Sequence, residues 1–225
     1  WSSKEAAVRR GALRPAFHSR FPIPAAVNFL AHFLLAERSD EALVGAFLGD
    51  FAKGPVSGCA PGVAMEILVH RRIDACCDAH PVMQAGRARF APERRRFAGI
   101  ALDVFHDHVL ARDWARYCGE PLADFCARAY RALSLHSDQM PEPARRVAAR
   151  MAEQDWLGAC ADFSGAQRAL SGIARRLSRG GERLEACAID LALHYAVLSD
   201  GFAPLFADMQ RVACKFRQCA HAAQG

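Results

Sequence analysis

Histidine and aspartate residues recur four positions apart along several stretches of this sequence. His70, Asp74 and Asp78 follow one another at that interval, and Asp103 and Asp107 repeat it. Side chains four residues apart lie one turn above another on a helix, so each set can converge on one point. Imidazole with carboxylates is the ligand set of Mn, Fe and Zn centres that catalyse hydrolysis. The spacing therefore favours a metal-dependent hydrolase.

Two further features extend this pattern. Asp50 lies on an otherwise apolar stretch close to Gly45 and Gly49, and Asp190 and His194 form one more pair at the four-residue interval. An ionised carboxylate on an apolar helix face is unfavourable unless it is paired or bound to a metal. Each pair taken alone also fits an ordinary hydrogen bond or salt bridge, but several such pairs together favour a metal centre.

The residues around Asp107 offer two neighbouring doublets, His106-Asp107 and Asp107-His108. A helix that passes beside an ion can hold it with a neighbouring His and Asp, as in the HD-type phosphohydrolases. His106 and His108 lie about 200° apart around an ideal helix, so both cannot face one ion. The residues alone leave both doublets open.

The hydrophobic pattern predicts helices almost throughout. No stretch combines apolar–polar alternation with β-branched residues, so the predicted class is an all-α, single-domain helical bundle. Ser39 and Asp40 are predicted to cap the second helix, Pro81 to end the third, and Gly180-Gly181 to break the chain. The predicted helices span residues 28–37, 41–53, 63–80, 93–118, 122–135, 143–152, 166–177 and 182–213, with another beginning near Trp156.

Composition narrows the functional classes. The 225 residues are 52% hydrophobic and 24% charged, as in a globular domain. No window approaches the roughly 18–20 apolar residues of a membrane span. The formal charge of +5 suits an acidic partner but is too small to indicate nucleic acid. Nine scattered cysteines without a CxxC pair predict reduced thiols in a cytoplasmic protein.

Four motifs resemble the acyl carrier protein phosphodiesterases (acyl carrier protein hydrolases), a divergent family of HD-type phosphohydrolases. They are NFLAH at 28–32, GDF with KG at 49–54, HRRID at 70–74, and LDV at 102–104 with DH at 107–108. LSGIARR at 170–176, with DL and HY at 190–195, is similar to the C-terminal half of the family. The resemblance extends from about Val27 into the low 210s. It predicts a helical phosphodiesterase domain at 27–217, preceded by a disordered or upstream-translated extension at 1–26 and followed by a tail at 218–225.

The resemblance implies an all-α enzyme that requires a divalent metal, Mn²⁺ first, with Fe²⁺, Mg²⁺ and Zn²⁺ as alternatives. The implied reaction removes the 4′-phosphopantetheine group from holo acyl carrier protein. The family shares the second doublet, which favours Asp107-His108 over His106-Asp107. The predicted metal ligands are His70, Asp74, Asp107 and His108. The predicted catalytic residues are Asp50, Asp103, Arg71, Arg72 and His32, and His194 is a weaker candidate.

Charge assigns provisional roles to these residues. Asp50 or Asp103 would orient the attacking water as a base, and Arg71 or Arg72 would neutralise charge on the phosphate oxygens. Carrier proteins are acidic, so the basic run of Arg94, Arg95 and Arg96 is the predicted docking surface.

Two other functions fit the same residues. One is an HD-like phosphohydrolase that acts on a nucleotide, and the other is a non-enzymatic helical interaction module. No nucleic acid and no membrane is expected among the partners, and the sequence does not fix the oligomeric state.

Overall fold

The computed structural model of the protein describes residues 28–36 and 39–222. Within these ranges the chain forms ten α-helices and no strand, which confirms the all-α prediction. The predicted extension at 1–26 lies outside the described residues. The helices are α1 (Phe29–Leu35), α2 (Asp40–Leu48), α3 (Pro61–Ala79), α4 (Pro81–Ala88), α5 (Ala98–Arg112), α6 (Leu122–Leu135), α7 (Glu142–Glu153), α8 (Phe163–Ala174), α9 (Gly181–Leu193) and α10 (Tyr195–Ala222).

Helix α5 lies at the centre of the bundle. Eleven of its 15 residues are buried, and it packs against α1, α4, α8, α9 and α10. Because its sequence is apolar on nearly every face, burial on all sides is the stable arrangement. Three consecutive polar residues of α5, His106, Asp107 and His108, are therefore buried together with the apolar ones.

Helices α2 and α3 approach closely because α2 has glycine where they meet. A Cβ atom on Gly45 would lie 2.5 Å from the carbonyl oxygen of Val63, and one on Gly49 would overlap the imidazole of His70. Gly45 meets Val63 and Gly49 meets His70, so residue numbers increase in the same direction along both helices. The two helices are therefore parallel, and the loop between them leads the chain back to the start of the contact. The close approach places His70 beside Asp50, which follows the end of α2.

Two local signals account for the helix boundaries in this region. The Ser39 hydroxyl accepts a hydrogen bond from the backbone N–H of Ala42 at 3.1 Å, which confirms the predicted cap of α2. Pro81 follows the last residues of α3 as predicted, but it also begins α4, a helix that the sequence analysis missed. Proline is favourable at the first position of a helix, and Nδ1 of His80 accepts from the N–H of Val82 at 3.2 Å.

The predicted helices at 93–118 and 182–213 are each interrupted. Short 3-10 turns at 95–97 and 114–116 flank α5, and a bend of 90° separates α9 from α10. The bend follows His194, and the ring of Tyr195 packs edge-on against Phe105 and Phe163. These contacts are long-range, so the periodicity of the sequence does not predict the bend. Helix α10 continues to Ala222 and includes most of the predicted tail at 218–225.

No single helix of the described chain has the length and apolarity needed to cross a membrane. The bent pair α9–α10 passes the same test only when its two parts are taken together.

Candidate metal centre

Four of the predicted site residues converge from three helices. His32 lies on α1, Asp50 follows α2, and His70 and Asp74 lie one turn apart on α3. Nε2 of His32 is 3.0 Å from Oδ1 of Asp74, and Nε2 of His70 is 3.2 Å from its Oδ2. Oδ1 of Asp50 lies 3.7 Å from Nε2 of His70. These four residues are referred to below as the His–Asp cluster.

The separations within the cluster are those of ligands around one ion. Atoms bound at about 2.0–2.2 Å in tetrahedral or octahedral geometry lie about 3.0–3.5 Å from one another. Ligand atoms of His32, His70 and Asp74 all lie within 4.8 Å of one another. The imidazole rings of His32 and His70 stack at 3.7 Å between centroids, so both present Nε2 to the same carboxylate. Two imidazoles and two carboxylates are a donor set that Mn²⁺, Fe²⁺ and Zn²⁺ all accept.

The tautomer of His70 is fixed by the backbone of α2. Its Nδ1 lies 2.7 Å from the carbonyl oxygen of Ala46 and must donate to it, because a carbonyl only accepts. Nε2 is then the atom that faces Asp50 and Asp74, and in neutral imidazole it carries a lone pair. Two carboxylates facing Nε2 favour positive charge there, which a proton or a bound metal ion can supply. Histidines that bind metals are oriented by a second-nitrogen hydrogen bond of this kind.

Two buried polar atoms of the cluster have no hydrogen-bond partner among the described residues. They are Oδ2 of Asp50 and Nδ1 of His32. A buried polar atom without a partner is unfavourable by about 1–3 kcal/mol, so such atoms usually serve a ligand or a function. The Asp74 side chain is 42% exposed, which leaves the cluster open to solvent on that side.

The electrostatics of the cluster favour a bound cation. Burial by itself lowers the pKa of His70, but the hydrogen bonds and charges of Asp50 and Asp74 outweigh this and raise it to about 10. Burial would raise the pKa of Asp74, and the two histidines instead hold it far below its usual range. The two carboxylates thus stabilise positive charge at the place where they meet His70.

Residues 27–209 match the family model described as acyl carrier protein phosphodiesterase. The chain belongs to the acyl carrier protein phosphodiesterase family. A relative so named from Enterobacter sp. (strain 638) is 35% identical over 78% of this chain and 92% of its own length. The relative so named from Salmonella dublin is 34% identical over 84% of this chain and 98% of its own length. The one from Yersinia pestis is 32% identical over 83% of this chain and 97% of its own length.

No solved structure matches the chain. The relation of this acyl carrier protein phosphodiesterase family member to the HD-type phosphohydrolases therefore remains a prediction.

The family doublet Asp107-His108 does not lie in the His–Asp cluster. The two oxygens of Asp107 each accept a backbone N–H at 2.9 Å, from Leu30 and Ala31 at the start of α1. Burial raises the pKa of Asp107 to about 7, although these two N–H groups favour the carboxylate. Asp107 thus caps the helix that carries His32. It positions a residue of the cluster rather than joining it.

The other half of the doublet, His108, lies about 100° further around α5. Its Nδ1 lies 2.9 Å from the carbonyl oxygen of Cys160, and its Nε2 lies 2.7 Å from the hydroxyl of Tyr195. Arg112 donates to the same hydroxyl. Both ring nitrogens are engaged where α10 begins, so the geometry does not support the predicted metal-ligand role of His108.

We therefore expect His108→Phe to retain its metal. The substitution removes two hydrogen bonds at the bend between α9 and α10, so it should lower the melting temperature while the His–Asp cluster stays intact. Metal analysis of the purified variant measures this directly. A stable, folded variant without metal would instead support the ligand role that the family resemblance implies.

The two predicted catalytic arginines have different environments. Arg71 donates to the carbonyl oxygens of Ala52 and Gly54 at 2.7 and 2.8 Å, and so it fixes the loop that follows Asp50. Arg72 is exposed on α3. Arg71 therefore positions the loop that carries Asp50, and only Arg72 keeps its guanidinium toward solvent.

Asp103 lies on α5 at the wall of a small cavity that also reaches His32. Burial, together with the carboxylates of Asp74, Asp78 and Asp107, raises the pKa of Asp103 to about 8. The raised pKa favours the protonated form of Asp103. This state suits a hydrogen-bond donor better than the base that the sequence analysis allowed.

The predicted pair Asp190–His194 is replaced by a long-range ion pair. Nε of Arg94 lies 2.6 Å from Oδ2 of Asp190, which also accepts the N–H of Ala91 at 3.2 Å through Oδ1. Arg94 thus joins α9 to the segment before α5. Its two neighbours Arg95 and Arg96 are exposed, so only these two remain available to an acidic partner.

Proposed function

We propose that this protein is a metal-dependent phosphodiesterase that hydrolyses the 4′-phosphopantetheine group from holo acyl carrier protein. The observation that carries the proposal is the convergence of two histidines and two aspartates in a chain of this family. The relatives bear the name of this activity over nearly their whole length. A non-enzymatic interaction module does not require two buried polar atoms without hydrogen-bond partners, Oδ2 of Asp50 and Nδ1 of His32, beside the exposed carboxylate of Asp74.

The residues that would hold the metal are His32, His70 and Asp74, with Asp50 beside them. Mn²⁺ is the first candidate, and Fe²⁺, Mg²⁺ and Zn²⁺ are the alternatives. When bound, such an ion lowers the pKa of its water and polarises a phosphate oxygen. The glycines of α2 and the hydrogen bond from His70 to Ala46 hold the donor atoms in place beforehand.

Two carboxyl groups can then move the protons that the reaction requires. Water attacks phosphorus, the bond to the serine oxygen of the carrier breaks, and that oxygen takes up a proton. Asp50 has an unpartnered oxygen inside the cluster and can accept a proton from water. Asp103 lies at the cavity wall with a raised pKa, and in its protonated form it can donate a hydrogen bond to a phosphate or leaving oxygen. Arg72 lies about 200° around α3 from both His70 and Asp74, so its guanidinium faces away from the cluster and takes no part in these proton transfers.

The direct test is incubation of the protein with holo acyl carrier protein and Mn²⁺, followed by mass spectrometry of the carrier. Release of 4′-phosphopantetheine with formation of the apo carrier supports the proposal. An unchanged carrier, with a guanosine polyphosphate hydrolysed under the same conditions, would instead identify a nucleotide phosphohydrolase.

The docking surface is tested by changing the exposed arginines alone. We expect Arg95→Ser with Arg96→Ser to raise the KM for holo carrier about three- to tenfold and to flatten its salt dependence, because surface charge acts mainly on encounter. Turnover at saturation should be spared. Steady-state kinetics between low and high salt measure both effects.

Arg94→Ser is the contrasting variant for this experiment. It breaks the ion pair with Asp190, so it should lower the melting temperature rather than act on docking alone. If turnover at saturation in the double variant falls by as large a factor as the KM rises, Arg95 and Arg96 support the fold and the docking role is contradicted.

We propose a cytoplasmic location. All nine cysteines of the chain lie among the described residues as free thiols, which suits a reducing compartment.

A further inference from the structure

Two cavities follow one another along α10. The first, of about 30 Å³, lies between α1, α3, α5 and α10 and reaches His32 and Asp103. The second, of about 130 Å³, lies between α4, α5 and α10 and opens beside Ala85 and Val197. His106 lines both cavities, so they adjoin at this residue.

His106 is a largely buried polar residue that borders both cavities. Its side chain is 6% exposed. Neither ring nitrogen forms a hydrogen bond with any group of the part of the chain described here. Histidines inside proteins normally satisfy at least one nitrogen, because leaving a buried donor or acceptor unpaired is unfavourable. A ligand that carries hydrogen-bonding groups along these cavities would provide the missing partner.

The remaining lining of the cavities is mainly apolar. Residues of α10 from Val197 to Met209 contribute to it, a distance of about 18 Å at 1.5 Å per residue. Gly86 and Gly201 lie at the second cavity, where a Cβ atom on Gly201 would lie 2.8 Å from Cγ1 of Val82. The absence of side chains at these two positions keeps α4 and α10 close along the second cavity. The two cavities thus have mainly apolar walls, and one imidazole lies between them.

We propose that the two cavities form one channel for the pantetheine arm of the substrate, with its phosphate end at His32 and its thiol end near Val197. This inference rests on the proposed function. The arm has about thirteen bonds from phosphorus to sulfur, which span about 16 Å at the rise of an extended chain. Its methyl and methylene groups match the apolar walls, and its two amides can pair with His106.

The channel is tested by calorimetric binding to the full chain loaded with Mn²⁺. The probes are 4′-phosphopantetheine, pantetheine without its phosphate, and inorganic phosphate. Ala85→Trp places an indole at the mouth of the second cavity, and Ala196→Trp is the matched control, an exposed residue of α10 outside both cavities. For Ala85→Trp we expect the dissociation constant of 4′-phosphopantetheine to rise at least tenfold, while that of phosphate stays within twofold. Ala196→Trp should change neither.

A second variant addresses His106 itself. His106→Phe keeps an aromatic ring of similar size and removes both nitrogens, so it should weaken pantetheine binding about five- to tenfold. Its metal content should stay that of the wild type, because His106 lies outside the His–Asp cluster. A melting temperature close to that of the wild type shows that the variant is folded.

Two results would overturn the channel. One is wild-type affinity of Ala85→Trp for 4′-phosphopantetheine, and the other is an equal loss of affinity for 4′-phosphopantetheine and inorganic phosphate. Failure of the proposed function is a separate result. In that case the wild-type protein leaves holo carrier intact, whatever the affinity for free pantetheine.

Discussion

Asp74→Asn should lose its bound metal and at least about 99% of its phosphodiesterase turnover together. Asp74 is the residue whose carboxylate contacts both His32 and His70, at 3.0 and 3.2 Å. Loss of residues that only support a ligand already lowers metal affinity or activity about 10- to 100-fold, so loss of a ligand should exceed this. Metal analysis of the purified variant and turnover with holo carrier measure the two effects.

Asp78→Asn is the matched control for this variant. Asp78 lies one turn further along α3, is 72% exposed and pairs with Arg87 at the surface. It should keep metal and turnover near those of the wild type. The helical content of both variants should match the wild type, because neither residue belongs to the core. An Asp74→Asn protein with stoichiometric metal and normal turnover would exclude Asp74 as a ligand.

Asp107→Ala should lower the free energy of unfolding by about 2–4 kcal/mol. The buried carboxylate accepts two backbone N–H groups of α1, and hydrogen bonds to charged groups contribute about 1.5–3 kcal/mol each. A loss of this size corresponds to about 5–15 °C in melting temperature for a chain of this length. Urea and thermal unfolding of the two proteins measure it.

Asp107→Asn serves as the graded control. Its amide keeps one oxygen as an acceptor for one of the two N–H groups, so the loss of stability should be smaller. Metal affinity should fall in both variants only indirectly, because weaker packing of α1 displaces His32 from the His–Asp cluster. Complete loss of metal from Asp107→Ala at an unchanged melting temperature would support the ligand role implied by the family resemblance.

Much of the site can be predicted from residue types and helix spacing. The interval between His70 and Asp74 is local, and an i,i+4 pair on one helix shares a face wherever that helix packs. Asp50 was identified because a carboxylate on an apolar stretch requires a partner. The family resemblance added His32, which the residue pattern alone did not single out.

What the sequence could not predict depends on contacts between distant segments. Asp107 and Leu30 are 77 positions apart, and nothing in either segment shows that the carboxylate caps α1. The basic run predicts that Arg94 docks an acidic carrier, but Asp190 lies 96 positions away and pairs with it. The bend at Tyr195 has the same origin. The periodicity of the sequence predicts which face of a helix is buried, but it does not predict which residues of a distant segment pack against that face.

The parallel packing of α2 and α3 has a consequence for how the molecule folds. Asp50, His70 and Asp74 all come from a single stretch of 25 residues, so the loop that must close to bring them together is short and its entropic cost is low. His32 joins them when α1 packs on α5, through contacts 77 residues apart, and on α2, where Phe29 and Phe33 meet Phe47. Six of the seven residues of α1 are buried, so opening α1 to release His32 would also expose part of the core. Exchange of a bound ion with solvent should therefore proceed past the exposed carboxylate of Asp74 and not through unfolding of α1.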